Sequence, residues 1–122
     1  MINFRDFLNS FRFAIAGLKV VFKEEQSFRI QILIGTIVIF LMLAFHLTIL
    51  EKSILFLLIS AVLSLELINS QVERFLDIIE PRYHPKVERI KDISAAAVLI
   101  AVLGAIIVGI FIFSPYFLAF FY

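Results

Sequence analysis

Glu66, Asn69, Glu73 and Asp77 follow one another at intervals of three, four and four residues, continuing directly out of the apolar run 54–65. On an α-helix that spacing is a single stripe. Ionised carboxylates are costly inside a membrane and less so at its edge, so a stripe that starts in apolar sequence marks function more often than accident. Two further charged groups belong with it, Glu24 and Glu25 before one apolar run and Lys91 and Asp92 before another. Carboxylates that converge from separate helices suit a hard cation such as Mg²⁺, which takes oxygen ligands, keeps waters and is completed by substrate phosphates. Zinc is disfavoured, because the chain has no cysteine and only two histidines. Glu66, the deepest of the stripe, is the candidate to take a proton from a hydroxyl held at the membrane edge. A metal site beside a base at an interface suits phosphoryl transfer to a lipid alcohol, where positioning and charge neutralisation do most of the work.

Structural roles compete with each of these assignments. Glu73 and Asp77 could form the solvated end of a helix, Asp92 could cap the helix that follows it, and Glu24 could pair with a nearby lysine. Glu66 and Asn69 could instead make hydrogen bonds that only hold helices together, and His46, in a turn, reads as structural. The glycines, Gly17, Gly35, Gly104 and Gly109, form neither GxxxxGK[ST] nor GxGxxG, so no familiar phosphate-cradling loop is present.

The elements that must position the stripe follow from composition. With 122 residues, 62% of them hydrophobic, and a mean hydropathy of +1.06, the chain exceeds what a soluble domain of this size can bury and reads as an all-α integral membrane protein. At roughly 20 residues per crossing it has room for three spans and no separate soluble catalytic domain. The absence of cysteine excludes disulfides and thiolate chemistry. The net charge of +1 says little about partners, and no nucleic-acid partner is expected.

Phe4, Phe7, Leu8, Phe11, Ile15, Leu18 and Phe22 recur at three and four with charged residues between them, which predicts an amphipathic surface helix over about 3–25. This stretch lacks the continuous apolar core and cleavage site of a secretory signal peptide. Spans are predicted at about 28–48, 54–76 and 93–121. Between them lie a polar turn at 46–53 and a proline-containing surface loop at 78–93, and the second helix is expected to outlast the bilayer. Arg29 and Gln31, near the start of the first span, are placed where polar side chains can reach the headgroups. Ala97, Ala101, Ala105 and Gly109 repeat every four residues on the last span, as an oligomer contact or as packing within one chain. Arg5, Arg12, Lys19, Lys23 and Arg29 precede or open the first span, and Arg74, Arg82, Lys86, Arg89 and Lys91 lie between the second and third, leaving only Lys52 elsewhere. The positive-inside rule therefore puts the N-terminus and the stripe in the cytoplasm and the C-terminus outside. No repeat or linker divides the chain, so residues 1–122 read as one domain.

The segment Glu66-Leu-Ile-Asn69-Ser70-Gln-Val-Glu73-Arg-Phe-Leu-Asp77 resembles the E-x-x-N-[ST]-x-x-E-x-x-x-D signature of the small prokaryotic diacylglycerol kinase and undecaprenol kinase family. Glu25-Gln-Ser-Phe28-Arg29, and Tyr83-His84-Pro85 followed by Lys91-Asp92-Ile-Ser-Ala-Ala-Ala97-Val98, agree in the same order, so the resemblance covers nearly the whole chain. It implies a homotrimer of three-span subunits in the bacterial cytoplasmic membrane, with active sites shared between neighbours, that uses Mg²⁺ and ATP to phosphorylate a lipid alcohol. By position, Glu66 would be the general base, and Glu25 and Glu73 would hold the metal ions that bridge the ATP phosphates. Asn69, Asp77, Lys91 and Asp92 would line the nucleotide site, with Tyr83 and His84 nearby. Glu24 stands where many relatives have asparagine, and the tryptophan common at the interface in some members is missing. Phe28-Arg29-Ile30-Gln31 and Tyr83-His84-Pro85 look more like the undecaprenol branch, which favours undecaprenol over diacylglycerol as substrate. A noncatalytic small oligomeric membrane protein, conducting a cation or assisting assembly, is the reading of another class, but polar residues clustered at one face suit a pore poorly.

Overall fold

A computed structural model describes residues 1–122 as helical throughout apart from short connections. The helices are α1 (Phe4–Glu24), α2 (Gln26–Ala44), α3 (Ile49–Ile79) and α4 (Pro85–Phe121). Of these, α2, α3 and α4 are long and apolar enough to cross a membrane. α4 packs against α3, α2 packs more lightly on α3, and α1 touches the start of α2.

Helix ends set the architecture. Asn3 caps α1, its Oδ1 accepting from the Arg5 amide at 3.0 Å. α1 and α2 are separated by Glu25 alone, in extended backbone (φ −111°, ψ 110°). This break would orphan the last carbonyls of α1. Arg29 answers it by donating from one guanidinium nitrogen to the Phe22 and Lys23 carbonyls, each at 2.8 Å. α2 ends in a turn with His46 in the left-handed region (φ 53°), and the Leu47 amide returns to the Met42 carbonyl at 3.4 Å. His46 is therefore the residue that turns the chain, as its structural reading requires.

Three predicted boundaries need correction. The first span stops at Ala44 rather than near 48 because of this turn. Residues 49–53 belong to α3 rather than to the turn, because Thr48 and Glu51 form a capping box: the Glu51 amide donates to Thr48 Oγ1 at 3.2 Å and the Thr48 amide to Glu51 Oε1 at 3.0 Å. The loop at 78–93 shrinks to 80–84, since α3 runs to Ile79 and Pro85 starts α4. Proline suits the first helical position, where its missing N–H is no loss. His84 caps this helix, its Nδ1 accepting from the Lys86 amide at 3.1 Å. Asp92 thus lies inside α4 and does not cap it. The 31 residues of α3 make it about 46 Å long, well beyond a hydrocarbon core of roughly 30 Å.

The end of the bundle at the α2–α3 turn is packed by Met42, Leu47, Leu55 and Phe113. The Phe45 ring lies 4.8 Å from that of Phe117 and 6.4 Å from those of Phe113 and Tyr116. Tyr116 also donates its hydroxyl to Glu51 Oε1 at 2.5 Å, which ties α4 to the first turn of α3. Of the small-residue stripe, Ala101, Ala105 and Gly109 are half-buried while Ala97 is exposed. Ala105 and Gly109 line the space between α2, α3 and α4, and a Cβ added at Gly109 would meet nothing within 4 Å, so the stripe makes no close helix contact there. Among the glycines, Gly35 is the one set against a neighbouring helix, where an added Cβ would meet Ile59 Cγ2 at 3.1 Å.

Gly35→Val adds further carbons to that contact and pushes α2 off α3, at a cost of about 1–3 kcal/mol. Denaturant unfolding of purified protein in micelles should show the loss. Wild-type stability would mean that the approach of α2 to α3 is not constrained at this point.

Candidate functional site at the Glu66 end of α3

Only three polar or charged residues are buried in the chain, and all lie on one face of α3: Glu66 (5% exposed), Asn69 (8%) and Ser70 (2%). Each is met by a side chain from another element or from the stripe itself. Glu66 accepts from Ser27 Oγ at 2.7 Å on one oxygen and from Gln31 Nε2 at 3.2 Å on the other. Ser27 and Gln31 lie four residues apart in the first turns of α2 and so share a face. Gln31 therefore points inward to the carboxylate, not outward to the headgroups as its position near the start of a span suggested.

Further along the stripe, Asn69 Nδ2 reaches Glu73 Oε1 at 3.5 Å, and Asn69 Oδ1 is buried without a hydrogen-bond partner. Ser70 Oγ donates to Glu25 Oε1 at 3.0 Å. Arg74 donates from Nε to Ser70 Oγ at 3.2 Å and from Nη2 to Glu25 Oε1 at 3.4 Å, and pairs with Glu24 Oε2 at 2.7 Å. Glu24 thus takes an arginine as its partner rather than a neighbouring lysine. Lys91 Nζ lies 2.6 Å from Asp77 Oδ1, joining the start of α4 to the end of α3.

Glu25, Glu66, Asn69, Glu73, Asp77 and Lys91 therefore come to one end of the bundle from three elements. Asp92 is exposed and contacts none of them, Tyr83 is exposed, and His84 is occupied in capping α4. Ser27, Gln31, Ser70 and Arg74 were not singled out by sequence. The available signals were the i, i+4 spacing of Ser27 with Gln31, and of Ser70 with Arg74.

Glu73 lies within the electrostatic reach of both Glu25 and Glu66. Like charges on facing elements favour a cation near them. The donors are all oxygens, the buried Asn69 Oδ1 has no partner, and no three acidic or histidine side chains form a closed cage. This partial oxygen set fits Mg²⁺, which keeps waters and takes phosphate oxygens to complete its shell.

A groove of about 270 Å³ runs between α2, α3 and α4, lined mainly by apolar side chains such as Val38, Leu58, Ile59 and Val62. Gln31 stands at its polar end. While Gln31 Nε2 holds Glu66, its Oε1 is buried with no hydrogen-bond partner. An apolar groove lined by a glutamine that holds a buried carboxylate fits a molecule with a hydrocarbon body and a single hydroxyl at its head.

Comparison with known proteins agrees with this geometry. A family model described as prokaryotic diacylglycerol kinase matches residues 12–113. The chain is 33% identical over 109 residues to an undecaprenol kinase of Bacillus subtilis, covering 89% of each protein. It is 34% identical over 108 residues to a diacylglycerol kinase of Haemophilus influenzae, covering 87% of this chain and 92% of the relative. It is also 37% identical over 103 residues to a diacylglycerol kinase of Synechocystis, covering 84% of this chain and 59% of that longer protein. A noncatalytic membrane protein accounts for none of these matches. The chain belongs to the prokaryotic diacylglycerol kinase family and is a lipid kinase of the bacterial membrane.

Proposed function

We propose that this kinase transfers the γ-phosphoryl group of ATP to undecaprenol at the cytoplasmic face, with Glu66 as the general base. The observation that carries the reading is the buried Glu66 carboxylate, hydrogen-bonded to Gln31, which is the polar residue lining an apolar groove. The hydroxyl oxygen of the alcohol attacks the γ-phosphorus while its proton passes to Glu66. The bond from the γ-phosphorus to the bridging oxygen breaks, and ADP leaves. Ser27 and Gln31 orient Glu66 by holding one oxygen each, which leaves lone pairs free for the incoming proton. Glu25 and Glu73 hold Mg²⁺, assisted by the free Asn69 oxygen, and the ion supplies charge neutralisation to the phosphates. Asp77, Lys91 and Asp92 line the nucleotide site, with Tyr83 and His84 close to it.

Undecaprenol is favoured over diacylglycerol by the Phe28-Arg29-Ile30-Gln31 and Tyr83-His84-Pro85 segments, and an undecaprenol kinase is among the relatives matched over most of their length. Diacylglycerol is the second reading, supported by the two diacylglycerol kinases that match at 37% and 34% identity. The chain functions as a homotrimer. A single copy buries only 11 of its 122 residues and leaves Tyr83 and Asp92 away from the stripe, which suits a site completed by a neighbour. The N-terminus is cytoplasmic and the C-terminus outside, because ten of the eleven basic residues lie at or beyond the site end. α1, with Phe4, Phe7 and Phe11 exposed, lies along the membrane surface.

Transfer from labelled ATP in mixed micelles, with undecaprenol and diacylglycerol offered separately, tests the reading. Glu66→Gln keeps shape but removes the proton acceptor, and should lower turnover by about 10²–10⁴-fold in a protein that is still oligomeric. Wild-type turnover would sink the base assignment, and preference for diacylglycerol would replace the proposed substrate. Gln31→Leu keeps volume but removes both the hold on Glu66 and the polar group of the groove lining. It should lower kcat/KM for the alcohol by roughly 10–100-fold, with the KM for ATP unchanged; an effect on ATP alone would remove Gln31 from the lipid site.

A further inference from the structure

The contacts of Arg74 are unequal in a way that the phosphoryl-transfer reading does not explain. Its Nη2 lies 2.7 Å from Glu24 Oε2 but 3.4 Å from Glu25 Oε1. Glu24 is the more exposed carboxylate, with 59% of its side chain accessible against 25% for Glu25. Arg74 therefore rests mainly on a residue outside the proposed metal pair and leans on a residue inside it. It can release Glu25 without losing its principal partner. Lys91, the other nearby cation, is engaged by Asp77 at 2.6 Å. Ser70 also donates to Glu25 Oε1, at 3.0 Å, so this oxygen is held by α3 whether or not the guanidinium stays.

We propose that Arg74 is a resident counter-cation, which neutralises Glu25 until a divalent ion arrives and then withdraws to Glu24. The proposal rests on the reading that Glu25 holds the metal. A guanidinium on one ligand opposes a doubly charged ion on the same oxygen, so its presence raises the metal concentration needed to fill the site. Glu24 is the parking carboxylate, which lowers that opposition by drawing the positive charge aside. Arg74 and Glu24 together set the metal threshold of the enzyme without touching the reacting atoms.

The two partners then act with opposite sign, unlike two residues that merely brace the α1–α2 junction. The measurement is Mn²⁺ binding to purified protein in micelles with β,γ-methylene-ATP present, followed by water-proton relaxation. Helicity and elution volume serve as the check on folding. Arg74→Gln should lower the half-saturating Mn²⁺ concentration by roughly five-fold or more, given partial exposure and screening. Arg74→Lys, which keeps the charge, should shift it less. Glu24→Gln should raise the half-saturating concentration in the wild-type background but have little effect when combined with Arg74→Gln. An unchanged or raised half-saturation in Arg74→Gln overturns the proposal, as does an equal effect of Glu24→Gln in both backgrounds. Glu25→Gln separates the two layers. If it leaves Mn²⁺ binding as in wild type, the metal assignment itself is wrong; if it weakens binding while Arg74→Gln does nothing, only the counter-cation role fails.

Discussion

A carboxylate hidden from solvent within apolar helices must be given hydrogen-bond donors, and much of this structure follows from how Glu66 obtains them. Both donors come from the first turns of α2, Ser27 on one oxygen and Gln31 on the other. Leaving either oxygen bare would cost the desolvation of a charged acceptor, more than a single hydrogen bond returns. The position and rotation of α2 against α3 are therefore fixed at this end by polar contacts. Gly35, one turn beyond Gln31, then sets how closely the two helices lie.

The same fixation delivers Glu25. Because α1 and α2 are divided by this one residue, a rotation of α2 that satisfies Glu66 also carries the Glu25 carboxylate to Ser70 and Arg74 on the next turn of α3. Arg29 keeps the break sharp by binding the last carbonyls of α1. The proposed base and the proposed metal ligand are thus coupled through a single helix start. A change in the α1–α2 junction reaches both.

Helix existence was legible in the sequence because apolar runs and the three-and-four spacing of the stripe are strong signals. The α3 overhang followed from the same evidence. The boundaries were less legible. Pro81 and Pro85 look alike in composition, yet only Pro85 sits at a first helical position where proline is favoured. Thr48 and Glu51 read as polar turn residues until their reciprocal capping is seen. In the site, Glu25, Glu66, Asn69, Glu73, Asp77 and Lys91 could be picked out because polar groups beside apolar runs stand out. Gln31 and Arg74 could not, since direction decides their meaning. A glutamine near a membrane edge can face headgroups or the interior, and an arginine beside a glutamate can choose either neighbour.

The two ends of the bundle are joined by different materials. At the α2–α3 turn, four buried apolar residues, a group of aromatic rings and the Tyr116–Glu51 bond hold α4 to its neighbours. At the Glu66 end, one partly exposed ion pair, Lys91–Asp77, joins the start of α4 to the end of α3. Exposed ion pairs are weak and screened by salt, whereas packed rings are not. Mechanically, α3 and α4 are the arms of a pair of tweezers, with the pivot at the turn and the tips beside Glu66. Salt that screens the ion pair would therefore loosen the tips and leave the riveted end as it is.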